Sequence, residues 1–341
     1  MKHFKHALSS VVAQNTLNQQ HPVVSILVPA YNVAVYLPHC LDSVVNQTYQ
    51  HLQVVVVDDG SKDNTLEIAR QYAEKYSFME VHHQENAGVA TARNTLISFA
   101  KGDYVLFVDS DDWIEYDMVE CMLNTLSRSR CDIVVCGCFK ELNGISTDCP
   151  VVNSEYLLEG AEKVIKTLLI HKELNGSLWN KMVSRKYYDG LTFRKDIWYG
   201  EDCLFFWQAL NRGVRKICFM PDCFYHYRMN EQSISHEKFS YKKMTGHEVW
   251  KQINEDVQAK WPILSDLGKA TYAISDMWLL FFASRVNYPF DKNLRLYQNN
   301  LRSNLRLIYK SGVITKKKCL FAAIVAYSYT VGGALIRYFK Y

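Results

Sequence analysis

Three carboxylates, Asp109, Asp111 and Asp112, crowd the end of the stretch YVLFVDSDDW at 104–113. The mostly apolar run 104–108 reads as a short buried strand leading straight into them. In an open α/β sheet, ligands bind beyond the carboxyl ends of the strands. Three acids gathered there repel one another unless a cation or a proton relieves them. Hard divalent cations prefer oxygen ligands and often bridge carboxylate to phosphate, so one reading is a metal site for a phosphate-bearing substrate. The other is a solvated loop in which Asp109 or Ser110 caps the following helix.

Two further polar clusters close strand-like runs. VVSILV at 23–28 ends in Pro29-Ala30-Tyr31-Asn32, and the run 53–57 ends in Asp58-Asp59-Gly60-Ser61. Helices are expected between them: one with Pro38 in its first turn and Leu37, Leu41, Val44 and Val45 along one face, and one from about Asn64 to Tyr76, capped by Asp63. A third strand is expected at 79–82, then a helix carrying Arg93 and Asn94 after Asn86-Ala87-Gly88. This alternation with short turns predicts a mainly parallel α/β sheet with helices on both faces, its polar strand ends sharing one edge. Taken singly, Asp-Gly is a common turn and Arg93 could be a surface residue. No GxGxxG or GxxxxGK[ST] occurs at these turns, which excludes the dinucleotide and P-loop readings.

The 341 residues allow one large domain or two. A formal net charge of +4 hides an asymmetry: from His236 onward 17 Lys/Arg face 7 Asp/Glu. A basic tail behind a near-neutral body points to an anionic partner. The ten cysteines form no CxxC pair, and the start carries no signal-peptide pattern, so a reducing cytosol is expected, with Cys136 and Cys138 in core or strand.

The series VSILVPAYN, VVVVDDGSKDNT, NAGVATARN and GDYVLFVDSDDW, in this order over residues 23–113, resembles the family 2 inverting glycosyltransferases of the GT-A fold. The resemblance implies a Rossmann-like sheet, a nucleotide-diphosphate sugar donor, usually UDP-linked, and Mn²⁺ or Mg²⁺. By position it implies that Pro29, Tyr31 and Asn32 form part of the nucleotide pocket and that Asp59 contacts the uracil. Asn86 and Arg93 would help hold the nucleotide, Asp109 would face the ribose with Ser110 beside it, and Asp111 would bind the metal bridging the diphosphate. Asp112 would either back the metal site or lie on the acceptor side.

A looser similarity extends to about residue 235. Trp179, Asn180 and Lys181, in a strand candidate at 178–183, resemble residues that flank the acceptor in this family. Glu201-Asp202 resembles the family's Glu-Asp pair, whose carboxylate deprotonates the acceptor hydroxyl; the resemblance implies Asp202 as base, with Glu201 as the alternative. A sugar hydroxyl is a poor nucleophile at neutral pH, so a base is needed. In isolation the two acids read as helix N-terminal carboxylates favoured by the helix dipole. The runs 215–220 and 223–228 read as paired strands, and Tyr225-His226-Tyr227-Arg228 with Ser233-Ile234-Ser235 resembles the segment that folds over the diphosphate. Arg228 would neutralise phosphate, and His226 or His236 would complete the metal shell; each histidine also reads as an ordinary packed or exposed side chain.

The expected organisation is a flexible arm at 1–20, a catalytic domain at 21–235 and a basic, mainly helical region at 236–341. Residues 319–336 carry no charge and follow Lys316-Lys317-Lys318. Their polar residues and Gly332-Gly333 favour a membrane-associating helix at 316–339 over a true span. A shielded packing helix is the other reading. No nucleic-acid module accompanies the tail. The partners expected are thus a nucleotide-sugar, a glycan or lipid-linked acceptor and a membrane surface, placing the protein in the cytoplasm, peripheral on the inner face of a bacterial cell membrane. Two rivals remain: a non-catalytic nucleotide-sugar-binding scaffold, and a sugar-1-phosphate nucleotidyltransferase, whose Gly-rich basic loop is missing at 29–33.

Overall fold

The protein is described from a computed structural model over residues 21–229 and 239–329. The expected arm at 1–20, Ser233, Ile234, Ser235 and His236, and the end of the tail lie outside the described residues.

The first part alternates as expected: β1 (Val24–Ala30), α1 (Leu37–Val45), β2 (Leu52–Asp58), α2 (Thr65–Lys75), β3 (Met79–His83), α3 (Val89–Phe99) and β4 (Tyr104–Phe107). β1, β2 and the end of β4 are apolar and buried on both faces, which is what a helix-covered parallel sheet requires. Leu37, Cys40, Leu41, Val44 and Val45 form the buried stripe of α1. Asp63 accepts from the Thr65 backbone N–H at 3.0 Å, holding the start of α2.

There follow β5 (Trp113–Ile114), α4 (Met118–Ser129), β6 (Ile133–Leu142), β7 (Ile145–Cys149), β8 (Tyr156–Glu159), α5 (Ala161–Ile170), β9 (Lys181–Ser184), α6 (Glu201–Leu210) and β10 (Lys216–Arg228). The sheet runs β3-β2-β1-β4-β9-β6-β10-β5, with β7 beside β6 and β8 beside β10. Along this path only β9 and β5 oppose the common strand direction. Pro29 is tolerated in central β1 because the pairing with β4 ends at Leu27, so the missing N–H falls where β4 has already left.

Two elements differ from expectation. The runs 215–220 and 223–228 are one strand, β10, which pairs with β6 and shifts register between Phe219 and Cys223, around Pro221. The helical periodicity of 157–171 predicts a helix throughout, but its front is strand β8, because Tyr156–Glu159 finds β10 as a partner. The run 142–154, which reads as a loop or a hairpin, forms a hairpin that turns at Asn143-Gly144, both at positive φ.

The C-terminal region folds as α7 (Tyr241–Lys260), α8 (Ser265–Arg285), α9 (Lys292–Ser311) and α10 (Lys316–Tyr327). Val249, Ile253 and Val257 of α7 join the core that covers one face of the sheet. Trp278 and Phe282 pack against a second core of α8, α9 and α10. Ala322, Val325 and Ala326 bury one side of α10 there, so this stretch packs on the protein, while Leu320 and Tyr327 stay exposed. No helix among the described residues is long and apolar enough to cross a membrane.

Candidate active site

The ends of β1, β2 and β4 meet on one edge, as their shared direction demands. After β1 the chain turns through Asn32, at φ 51°, whose Oδ1 accepts the Lys62 N–H at 2.8 Å while its own N–H donates to Ser61 Oγ at 2.9 Å. Tyr31 is exposed beside it. Asp59 is buried at the end of β2. Its carboxylate accepts the backbone N–H groups of Ala87 and Gly88 at 3.0 and 2.8 Å and Gln84 Nε2 at 2.7 Å. Asn86 Nδ2 donates to the Asp59 carbonyl at 3.0 Å. Asp59 thereby ties the β2 turn to the start of α3. Gly60 must be glycine, since its φ is +74° and an added Cβ would stand 2.6 Å from Asn86 N.

α3 carries Arg93 into the centre of this edge. Nη1 donates to Glu201 Oε1 at 2.7 Å, and Nη2 lies 3.4 Å from Asp109 Oδ1. Burial works against the Arg93 charge, but Asp109, Glu201 and Asp202 outweigh it and raise its pKa. Glu201 and Asp202 open α6, following Gly200 at φ +87°. Burial raises the pKa of both carboxyls, mutual repulsion adds to this for Glu201, and Arg93 pulls both back. Acids raised towards neutrality suit proton transfer near physiological pH.

The acidic loop after β4 is pinned from β10. Tyr225 Oη donates to Asp112 Oδ2 at 2.7 Å and accepts the Asp109 N–H at 3.1 Å. The Arg228 N–H donates to Asp112 Oδ1 at 2.7 Å, and its Nε to the Asp111 carbonyl at 2.8 Å. The Arg228 guanidinium also lies over Trp113, 4.6 Å from the ring centroid. Ser110 is buried within the loop. Asp112 is pushed up to about 8 by burial and by the charges of Asp109 and Asp111.

That excess of negative charge is what a hard divalent cation relieves, and Asp111 with Asp109 could hold one. Among the described residues no three His, Cys, Asp or Glu side chains gather as a metal cage. The carboxylate oxygens of Asp109 and Asp111 are of the type Mg²⁺ and Mn²⁺ take, alongside water and phosphate oxygens.

Four of the expected site residues are engaged within the protein. Asp112 lies beneath the loop, both oxygens bonded inside the protein. His226 has Nδ1 2.7 Å from Glu141 and Nε2 2.9 Å from Glu115, and is stacked between Trp113 and Phe139, so both ring nitrogens are engaged by carboxylates. Asn180 is buried with Nδ2 on the Cys136 carbonyl at 2.9 Å. Lys181 is buried too, its ammonium bonding Asn175 Oδ1, the Ser177 carbonyl and Asn180 Oδ1. Burial pushes Lys181 down to about 7, against the pull of Asp202. Trp179 is half-buried against Tyr225 and Tyr227. The sequence reading missed Tyr225 as the fixing point of the acidic loop; only the register of β10 against β5 reveals it.

One edge of the α/β sheet thus carries both an acidic loop and a buried pair of carboxylates. The glycosyl transferase family 2 model matches residues 25–191. The uncharacterized glycosyltransferase EpsJ of Bacillus subtilis is 30% identical over 245 residues, 69% of each chain. The putative glycosyltransferase EpsH of the same organism is 36% identical over 219 residues, and the match spans 62% of each chain. The crystal structure of S. aureus TarS 1–349 in complex with UDP-GlcNAc shares the fold at a TM-score of 0.65 and 21% identity, covering 91% of this chain and 88% of that one. The chain belongs to glycosyl transferase family 2 and has the GT-A fold.

Proposed function

We propose that this chain is a metal-dependent inverting glycosyltransferase that moves a hexosyl or N-acetylhexosaminyl group from a UDP-sugar to a hydroxyl of a glycan or lipid-linked acceptor, in cell-surface polysaccharide or lipooligosaccharide synthesis. The observation that carries this reading is the Arg93 bridge, which joins Asp109 of the acidic loop to Glu201 of the carboxylate pair. A donor-binding loop and an acceptor-activating base must stand together for direct displacement, and one guanidinium ties them.

In this reading Tyr31, Asn32, Asp59 and Asn86 shape the nucleotide pocket, and Asp109 faces the ribose. Asp202 takes the acceptor proton as its oxygen attacks the anomeric carbon from the face opposite the diphosphate, inverting that carbon. Glu201 is the alternative base. Asp111 would hold Mn²⁺ or Mg²⁺, which would supply positive charge to offset the leaving diphosphate. Arg228, bonded to the Asp111 carbonyl, adds a second cation on that side. The UDP-GlcNAc complex of TarS supports a UDP-linked donor. The basic C-terminal helices suit an anionic lipid surface at the inner face of a cell membrane, where a lipid-linked acceptor would reside.

The test is UDP release from a panel of UDP-sugars with Mn²⁺, repeated with EDTA and with Asp111→Asn. Metal-dependent release from one donor, abolished by the substitution, is expected. No release across the panel, together with no metal-dependent binding of UDP by calorimetry, rejects the proposal.

A further inference from the structure

The carboxylate pair is reached from the C-terminal helices through one hydroxyl. Thr245, on α7, accepts the backbone N–H groups of Trp198 and Tyr199 at 3.0 and 3.1 Å. Its own O–H donates to the Lys242 carbonyl at 2.6 Å. A hydroxyl has one donor and two acceptor sites, and all three are used. The two amides belong to the segment that turns through Gly200 into Glu201 and Asp202.

The neighbours of Thr245 fit closely against the same segment. A Cβ on Gly246 would stand 3.0 Å from Cδ1 of Tyr199, and one on Gly200 would meet Val249 at 3.6 Å. Two residues beyond Thr245, buried His247 anchors α7 from behind. Its Nδ1 lies 2.6 Å from Asp276 Oδ1, its Nε2 2.9 Å from Tyr272 Oη, and its ring stacks on Tyr297 with centroids 4.4 Å apart. Asn300 Nδ2 holds the other Asp276 oxygen at 2.7 Å. Helices α8 and α9 therefore fix the height of α7, and α7 fixes the turn that delivers the carboxylates.

We propose that Thr245 is a positioning residue for Glu201 and Asp202, and that the C-terminal helical layer acts as the buttress that sets their geometry. The inference rests on the glycosyltransferase reading for its effect on rate, not for its effect on the loop. Removing the hydroxyl leaves two amides without their acceptor while leaving Asp59, Asp111 and the nucleotide pocket in place.

The experiment compares Thr245→Val and Thr245→Ser in the full chain, reading three quantities: amide hydrogen exchange at 198–201, the kcat of sugar transfer and the Kd for UDP. In Thr245→Val, exchange across 198–201 accelerates and kcat falls by about tenfold or more, as small misplacements of a reacting group do. The Kd for UDP and the thermal midpoint stay near wild type, and Thr245→Ser restores both exchange and kcat. The proposal is overturned by unchanged exchange in the valine variant, by kcat at the wild-type level despite faster exchange, by a loss of UDP affinity matching the loss of rate, or by failure of serine to rescue. Absence of transfer in the wild-type chain would instead strike the proposed function, with the exchange data still deciding whether Thr245 anchors the turn.

Discussion

Arg93 Nη1 stands 2.7 Å from Glu201 Oε1, although 108 residues separate the two in the chain. Both side chains are only 11% exposed, so neither charge can turn to water if the other is lost. Breaking such a pair from one side costs about 3–5 kcal/mol, because the remaining charge stays buried. Arg93→Gln is expected to lower unfolding stability in denaturant by about that much. The double variant with Glu201→Gln should lose less than the sum of the two singles, by about 0.5–3 kcal/mol. Additive losses would show that the two residues do not interact.

The carboxylate pair sets a pH dependence whose sign follows from its environment. Burial raises both acids, and Glu201 is raised further by Asp202. The base must be ionised to accept a proton, so the rate of sugar transfer should climb with pH on a limb displaced above the ordinary carboxylate range. Stability runs the other way. With folded pKa values above the unfolded ones, the pair's contribution is fully present below the ordinary carboxylate range and is lost as pH rises through the raised values. Rate profiles of wild type and Asp202→Asn test the first part; a wild-type limb near pH 4 would contradict it. Denaturation across the same range tests the second, and Glu201→Gln should flatten the slope.

Gly176 tests how tightly the loop before β9 seats on α6. A Cβ there would stand 2.4 Å from Cys203 Cβ and 2.6 Å from its Cα, so backbone must move to admit it. Gly176→Ala is expected to cost about 1–3 kcal/mol by overpacking. Because Cys203 directly follows Asp202, kcat should fall as well. Chemical denaturation and transfer kinetics read the two effects, and a neutral alanine would mean the loop shifts freely.

Much of this architecture was legible in the sequence. The apolar runs ending in Asp59 and Asp109 and the periodic face of α1 carried the strand–helix order, since burial on two faces or one leaves a pattern along the chain. Arg93, Asp109 and Glu201, all singled out from sequence, do meet. What escaped depends on register across distant strands. Tyr225 pins the acidic loop, and His226 is sealed between Glu115 and Glu141, because β10 crosses between β6 and β5. Nothing local to YHYR states which side of that strand a residue faces. The Asn143-Gly144 pair is a hairpin signal, and the chain turns as a hairpin there.

Tyr225 supports two groups at once, donating to Asp112 and accepting from the Asp109 amide. Tyr225→Phe preserves the ring and removes the hydroxyl, stranding two buried polar groups at about 1–3 kcal/mol. The acidic loop should loosen, so Mn²⁺-dependent UDP binding by calorimetry should weaken more than binding in EDTA. Equal weakening in both conditions would place the effect in the nucleotide pocket rather than in the loop.

The basic C-terminal helices give the last prediction. Lys316, Lys317 and Lys318 are exposed at the start of α10, and Arg295, Arg306 and Lys310 are exposed on α9. Leu320 and Tyr327, respectively 65% and 69% exposed, add apolar contact on the same helix as the lysines, whose other side is packed on the protein. Basic groups near an anionic bilayer contribute about 1 kcal/mol each. The chain should therefore co-sediment with vesicles containing phosphatidylserine and not with pure phosphatidylcholine, and salt should release it. Replacing Lys316, Lys317 and Lys318 with glutamine should weaken this binding by about two orders of magnitude without changing UDP affinity. Binding that ignores lipid charge, or survives the triple replacement, would assign the basic surface to another partner.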